Sequence, residues 1–214
     1  MAGDHLPFSS PAEQTMGMPA IRRRWTTSDV RELMDESRPW PRYELIGGEL
    51  IVTPSPGRPH QLFASDILFI IKGYVDQQGI GVTFMAPADL ELQPGTITQP
   101  DIFVVPFPTS PKADEPGWAV VDRLLLAIEI ISPSSARIDR VVKRDFYLNA
   151  GVPEYWIVDL DARMIERWTP ARETPELLRT SLQWLPTGAG APLTIDLAEL
   201  FQRIWSTHRK LLGI

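Results

Sequence analysis

Alternation of apolar and polar residues predicts that the folded part of the chain begins with a short helix and a β-hairpin. In YELIGGELIVTP, residues 43–46 and 49–53 alternate on either side of a Gly47-Gly48 pair, which is typical of a tight turn between two strands. Just upstream, DVRELMDES predicts a short helix with Thr27 or Ser28 as its N-cap. A proline-rich loop, PSPGRP, follows the hairpin.

Helical periodicity appears three times after the hairpin. Apolar residues recur at intervals of three and four over residues 60–77, and Gly79 ends this segment. RIDRVVKRDFYLNA, residues 137–150, has an apolar stripe that includes Val141, and Gly151 follows it as a C-cap. The segment DLAELFQRIW predicts a terminal helix.

Short apolar runs around these helices predict a set of strands. The runs lie at residues 82–87, 89–93, 101–105, 124–131, 154–160 and 164–170. The order of strand 124–131, helix and strand 154–160 indicates a crossover between parallel strands. We therefore expect an α/β fold, in which helices flank a mixed β-sheet with 124–131 at its centre.

Composition and charge narrow the class of protein. With 214 residues, the chain is expected to form a single domain over 21–214, preceded by a disordered leader over 1–20 that is rich in proline, serine and glycine. The absence of cysteine excludes disulfides and a thiolate zinc site. Without a signal peptide or a long apolar span, we expect a cytoplasmic protein with no membrane partner. The net charge of −6 argues against a uniformly basic surface.

The most unusual single residue is Glu129, which stands inside the apolar run LLLAIEII. Burying its charge without a partner would be costly. Asp101, before the apolar run IFVV, and Lys143, in the following helix, are candidate companions. Two carboxylates and a lysine converging at strand ends suit phosphodiester hydrolysis assisted by Mg²⁺ or Mn²⁺, and a structural salt bridge is the alternative.

Other candidate residues are less distinctive when judged by spacing alone. Lys143 shares a helix face with Arg140 and Tyr147, yet Asp139 four residues earlier offers an ordinary ion pair within the helix. Glu44 in the hairpin reads as an exposed glutamate, and a lone histidine such as His60 is more often structural than functional.

The series YELIGGELIVTPSP, His60, QPDIFVV, LAIEIISPSS and DRVVKRDFYLNAGVPEYWIVD resembles the Uma-type restriction endonuclease family of the PD-(D/E)XK nuclease superfamily. This resemblance implies a restriction-endonuclease-like core in which Asp101, Glu129 and Glu44 hold the metal and Lys143 completes the catalytic group. The superfamily lysine should stand two residues after the acidic residue, where this chain has Ile131, so Lys143 looks like a migrated replacement.

We therefore expect a metal-dependent DNA endonuclease that acts as a homodimer, because an endonuclease that cuts both strands usually presents two sites related by a dyad. Arg137, Arg140 and His60 are the predicted DNA contacts. Two alternatives remain open, a nuclease fold kept only to bind DNA or a protein partner, and a hydrolase of small phosphoesters. Tyr155 and Trp156 alternate within a strand and are predicted to pack in the core.

Overall fold

A computed structural model describes residues 24–34, 40–107 and 117–213. The disordered leader predicted over 1–20 lies outside these residues. Within the described part of the chain, no helix combines the length and hydrophobicity needed to cross a bilayer.

The first half of the chain contains the predicted helix, hairpin and long helix. The elements are α1 (Thr27–Leu33), β1 (Arg42–Ile46), β2 (Glu49–Thr53), α2 (Arg58–Gln78), β3 (Gly81–Met85) and β4 (Ile102–Pro106). Gly79 closes α2 in the left-handed conformation, with φ of 64°, which glycine adopts without steric cost.

The second half begins with a short 3₁₀ turn at Gly117–Val120 and continues with the central strand. Its elements are β5 (Leu126–Ile130), a π-helix (Ile138–Lys143), α3 (Arg144–Asn149), β6 (Tyr155–Asp159), β7 (Met164–Trp168), β8 (Glu176–Leu178), β9 (Ser181–Trp184), β10 (Leu193–Asp196) and α4 (Leu197–Leu212).

Six strands form one mixed sheet in the order β3-β4-β5-β6-β7-β8. Only β5 and β6 are parallel among these neighbours, with Glu129 opposite Ile157, and the other pairs are antiparallel. The hairpins β1-β2 and β9-β10 are separate two-stranded sheets. The predicted mixed sheet, flanking helices and N-terminal hairpin are therefore confirmed, as is the parallel pairing across the crossover.

The sheet divides the interior into two apolar cores because successive side chains of a strand face opposite sides. Ile128 and Ile130 of β5 belong to the core beneath α2 and α4. Ala127 belongs to the other core, which lies beneath α3 and the β1-β2 hairpin and contains Tyr147 and Tyr155. Glu129 alternates with Ile128 and Ile130, so its carboxylate faces the α3 side.

The segment around residue 90 and the start of α1 differ from the predictions. Residues 89–93 do not form a strand, because the only pairing there is an isolated bridge between Leu90 and Thr98 before the chain turns at Pro94-Gly95. The N-cap of α1 is Thr26, whereas Thr27 or Ser28 was predicted. Its hydroxyl accepts a hydrogen bond from the Asp29 backbone, and Asp29 accepts one from the Thr26 backbone in return.

The segment predicted as one helix over 137–150 has a wider first turn than expected. It runs through the π-helix into α3. Residues two apart face opposite sides of such a segment, and Val141 is two residues from both Asp139 and Lys143. Asp139 and Lys143 are buried, whereas Val141, which was predicted to be buried, is 47% exposed. Strands β8, β9 and β10 were not predicted.

Candidate active site

Four acidic side chains and two basic ones share a buried region at one end of the main sheet. The acidic residues are Glu44, Asp101, Glu129 and Asp139, and the basic residues are Arg42 and Lys143. Each is less than 10% exposed, and they come from β1, the start of β4, β5 and the π-helix. We call these six residues the acidic cluster.

Lys143 is the centre of the acidic cluster. Its Nζ lies 2.7 Å from Glu44 Oε2 and donates a hydrogen bond of 2.9 Å to Glu129 Oε1. Asp139 Oδ1 is 3.6 Å from the same nitrogen, so the ion pair within the helix and the pairing with Glu129 exist together. The two readings of Lys143 made from the sequence are therefore compatible.

The spacing of side chains along the π-helix and α3 determines which of them reach Glu129. Residues four apart are neighbours on one side of a helical segment. Asp139, Lys143 and Tyr147 have this spacing and all three are buried. The Tyr147 hydroxyl lies 3.4 Å from Glu129 Oε1, a long hydrogen bond.

Glu44 is held in the cluster by the hairpin. Its Oε1 accepts a hydrogen bond of 2.8 Å from the Gln99 backbone, and the side chain is 2% exposed. The neighbouring Leu45 exchanges backbone hydrogen bonds with Ile97, which covers β1 on the side away from β2. The reading of Glu44 as an exposed hairpin residue is therefore wrong, because contacts distant in sequence bury this strand.

Asp101 is fixed by three donors. Arg42 Nη2 binds its Oδ1 at 2.7 Å, while His60 Nε2 and the Ile130 backbone N–H lie 3.1 Å and 2.9 Å from its Oδ2. Burial acts to raise the pKa of Asp101, but His60 and Arg42 outweigh it and hold this pKa well below its usual value. Asp101 is therefore a carboxylate at neutral pH.

Glu129 has the opposite electrostatic situation. Burial raises its pKa well above the usual value, and Asp101, Asp139 and Glu44 add to this effect, while Lys143 opposes it. Burial also acts to lower the pKa of the Lys143 amine, but Glu129 and Glu44 outweigh it and raise that pKa well above its usual value. Both raised pKa values mean that the two groups retain their protons more strongly than they would in water.

A cavity of about 330 Å³ opens onto this cluster. Five of the six cluster residues line it, all except Glu44. The remaining walls come from the loop before α2, the serine-rich loop after β5, the end of β6, and α4, and they include Pro54, Ile131, Ser132, Leu160 and Trp205. The acidic cluster is thus buried in the protein but accessible to a ligand from one side.

The three predicted DNA contacts have different positions. His60 lines the cavity and touches Asp101. Arg137 is exposed and stands two residues before Asp139. Arg140 points elsewhere, since its Nε donates to Glu166 at 2.7 Å and its Nη2 donates to Asp159 at 2.9 Å.

Sequence reasoning missed Arg42 as a member of the site. Its guanidinium is 7% exposed, lies 4.5 Å from the centre of the Trp40 ring, and donates to both Asp101 and the Gln99 carbonyl. A usable signal was present, because Arg42 and Glu44 are two residues apart on one strand and so share a face. Tyr155 and Trp156 pack in the core as predicted, both fully buried.

The donors of the cluster fit a hard divalent cation in chemistry and in charge. Carboxylate oxygens are the ligands that Mg²⁺ and Mn²⁺ prefer. Four carboxyl groups stand against only two basic residues, Arg42 and Lys143, and a divalent ion would supply the added positive charge that favours ionised Glu129. Among the residues with a described position, however, no three histidine, aspartate or glutamate side chains already stand as a metal-binding group.

Comparisons with known proteins give a family and a common fold for this chain. Residues 28–198 match the family model Uma2, described as "Putative restriction endonuclease". A crystal structure from Anabaena variabilis, described as a "putative nuclease belonging to DUF820", matches with a TM-score of 0.63 and 23% sequence identity. The match covers 84% of this chain and 98% of that one, and at this identity it shows a common fold. No curated protein matches the chain.

Proposed function

This chain belongs to the Uma2 family of restriction-endonuclease-like proteins, and we propose that it is a metal-dependent nuclease that hydrolyses phosphodiester bonds of DNA at the acidic cluster. The observation that carries the proposal is the cluster itself, with its excess of negative charge at the wall of an open cavity. A purely structural salt bridge would not require four carboxylates for two basic residues, because each unpaired buried charge destabilises the fold.

Asp101 and Glu129 are the proposed metal-holding residues. Both line the cavity and both are buried. Asp101 is kept ionised by Arg42 and His60, whereas Glu129 needs added positive charge to be ionised in this environment. When bound, Mg²⁺ or Mn²⁺ supplies Lewis acidity toward a phosphoryl oxygen and makes a nucleophilic water available at neutral pH.

Glu44 and Lys143 act together in this proposal. Glu44 binds the Lys143 ammonium at 2.7 Å and so fixes the amine beside Glu129. From there the ammonium can stabilise negative charge that develops on the phosphate in the transition state. Glu44 does not line the cavity, so in this proposal it acts through Lys143, in contrast to Asp101 and Glu129.

Arg42 and His60 position Asp101. Arg42 is anchored at the Gln99 carbonyl as well as at Asp101, so its guanidinium holds the carboxylate in one orientation. The His60 ring lies on the other oxygen of the same carboxylate, 3.1 Å away, and lines the cavity. His60 is therefore placed to contact a substrate phosphate while it orients Asp101.

The test is cleavage of supercoiled plasmid with Mg²⁺ or Mn²⁺, against the same reaction in EDTA. Glu129→Gln and Asp101→Asn preserve side-chain shape and remove one charge each, so both should abolish nicking in otherwise folded protein. The matched control is Glu154→Gln. Glu154 is a partly buried carboxylate bonded to Trp156 near the amino end of β6, outside the cavity, and its replacement should leave the rate unchanged.

Full metal-dependent cleavage by both site variants would refute the assignment. Cleavage that persists in EDTA would instead refute the metal requirement. The homodimer expected for cutting both strands is tested separately by sedimentation of the purified protein.

A binding module without catalysis is the second candidate, and one observation favours it. The basic residues of the acidic cluster already form ion pairs with its carboxylates. Lys143 pairs with both Glu44 and Glu129, and Arg42 pairs with Asp101. If this pairing is permanent, the protein should bind DNA without cleaving it. Plasmid retention in a gel without nicking, by wild-type protein in Mg²⁺, would support this function over the first.

A further inference from the structure

The cavity has a second, apolar wall that metal binding and phosphate hydrolysis leave unexplained. Besides the acidic cluster it is lined by proline and other apolar side chains, namely Pro54, Pro56, Pro59, Ile131, Pro133, Leu160 and Trp205. An apolar surface offers no hydrogen bond or charge to a phosphate group. The cavity is therefore shaped for a group that carries both an anion and a flat or apolar body.

Trp205 is the aromatic residue of this wall. It lies on α4 and is half-buried, and its Nε1 donates a hydrogen bond of 3.3 Å to the Leu160 carbonyl. The His208 ring packs edge-on against the indole, with ring centres 5.7 Å apart. These two contacts hold the indole in one orientation while part of its surface remains open to the cavity.

The acidic cluster and Trp205 lie on opposite faces of the main sheet, near the same end of its strands. Glu129 faces the α3 side, whereas Trp205 packs against the core beneath α2 and α4. The cavity joins them across the carboxyl ends of the parallel strands β5 and β6, where Ile131 and Leu160 follow the last strand residues. A ligand that fills the cavity passes over the carboxyl ends of these strands, which is the usual location of ligand sites in sheets with parallel strands.

We propose that this cavity receives one unpaired nucleotide of the DNA strand, with its base stacked on Trp205 and its phosphate at the acidic cluster. The inference rests on the proposed function and names its substrate class. A volume of about 330 Å³ lies at the lower end of small-ligand pockets, about 300–1,000 Å³. It is sufficient for one flat base with its sugar, and far too small for a base pair within a helix.

The burial of the cluster supports the same conclusion. Asp101 and Glu129 are 6% and 4% exposed, so a scissile phosphate must enter the cavity to reach them. In an intact duplex, the bases next to that phosphate are paired and stacked, and they cannot follow it inside without being extruded. A single strand, or a locally opened duplex, enters without this cost, and aromatic stacking then holds a base of any sequence.

Binding is the first readout, because it does not depend on catalysis. Fluorescence anisotropy at low salt compares a short fluorescein-labelled single strand with a hairpin duplex of the same sequence. Ca²⁺, which also takes oxygen ligands, is present to neutralise the acidic cluster, and a gel checks that the labelled DNA stays intact. Wild-type protein should prefer the single strand. Trp205→Ala should weaken single-strand binding by about 5- to 150-fold, the range expected for loss of one stacked base, and duplex binding much less.

Two further variants separate stacking from folding. Trp205→Phe keeps an aromatic face and should retain most of the affinity, whereas Trp205→Leu keeps apolar packing against the core and should behave like Trp205→Ala. The control is Phe69→Ala, an 83% exposed aromatic side chain on α2 that lines none of the described cavities, which should leave binding unchanged.

Cleavage then distinguishes the two proposals. With Mg²⁺ or Mn²⁺, circular single-stranded DNA should be cut faster than relaxed closed duplex of the same sequence. If neither DNA is cut but the Trp205-dependent preference for single strands is present, the proposed function fails and the nucleotide site stands. Equal or undetectable binding of the two DNAs, or full single-strand affinity in Trp205→Leu, overturns the nucleotide site whether or not the protein cleaves DNA.

Discussion

Replacing Lys143 with methionine tests whether this one amine holds the acidic cluster together. Methionine has a similar length and no charge, so the change removes the ammonium and keeps most of the volume. The lost contacts are those at 2.7 Å to Glu44, 2.9 Å to Glu129 and 3.6 Å to Asp139. Three buried carboxylates would then lack their common counter-charge.

The expected cost follows from the burial of these groups. Removing one partner of a buried ion pair destabilises a protein by about 3–5 kcal/mol, because the remaining charge is left desolvated. For a chain of this size, about 1 kcal/mol lowers the melting temperature by about 2–4 °C, so we expect a decrease of about 6–20 °C. Domains are stable by about 5–15 kcal/mol, so the variant should still fold.

The loss should also depend on pH, with a definite sign. The raised pKa of Lys143 means that its stabilising effect is complete below its unfolded pKa of about 10.4, and so is constant from about pH 5 to 8. The carboxyl group of Glu129, whose pKa burial already raises, takes up a proton more readily without Lys143. Protonation removes the unpaired charge, so the difference from wild type should be larger at pH 8 than at pH 5.

Urea unfolding in EDTA, followed by circular dichroism at both pH values, measures these effects. Adding Glu44→Gln to Lys143→Met should recover part of the loss, since it removes one of the unpaired charges. Lys72→Met is the matched control, because the Lys72–Asp76 pair is exposed and should contribute less than about 1 kcal/mol. A loss below about 1 kcal/mol for Lys143→Met, or one that is equal at both pH values, would refute the electrostatic account.

Two other predictions concern metal binding and the second basic residue of the π-helix. Mg²⁺ or Mn²⁺ should raise the melting temperature of the wild-type protein but not that of Glu129→Gln. A ligand that binds only the folded state stabilises the protein by about 2.7 kcal/mol when its concentration is one hundred times its Kd. An equal rise in both proteins, measured by calorimetry, would exclude Glu129 as a metal ligand. Arg140→Gln breaks the contacts to Asp159 and Glu166 and should cost about 1 kcal/mol without changing the salt dependence of DNA binding. A salt slope lower by about 1 would instead show that Arg140 binds a phosphate.

Local elements of the fold could be predicted because their signals are local. The Gly47-Gly48 turn between alternating segments specifies a hairpin, and the periodicity over 60–77 specifies α2, irrespective of what they pack against. The position of Glu129 within an apolar run predicted a buried ionisable group without knowledge of its contacts. The strands β8, β9 and β10 were missed because they are short, and their burial comes from neighbours elsewhere in the chain.

The sequence by itself thus determined the main elements, the parallel crossover and the presence of a carboxylate that needed a partner. Only the tertiary structure decided which partners it has. Glu44 and Arg42 are buried because β1 pairs with residue 97 and covers the sheet end. Trp205 lies on α4, more than sixty residues after Lys143 in the chain, and lines the same cavity. Periodicity tells which face of an element is apolar, but what covers that face depends on contacts between segments far apart in sequence.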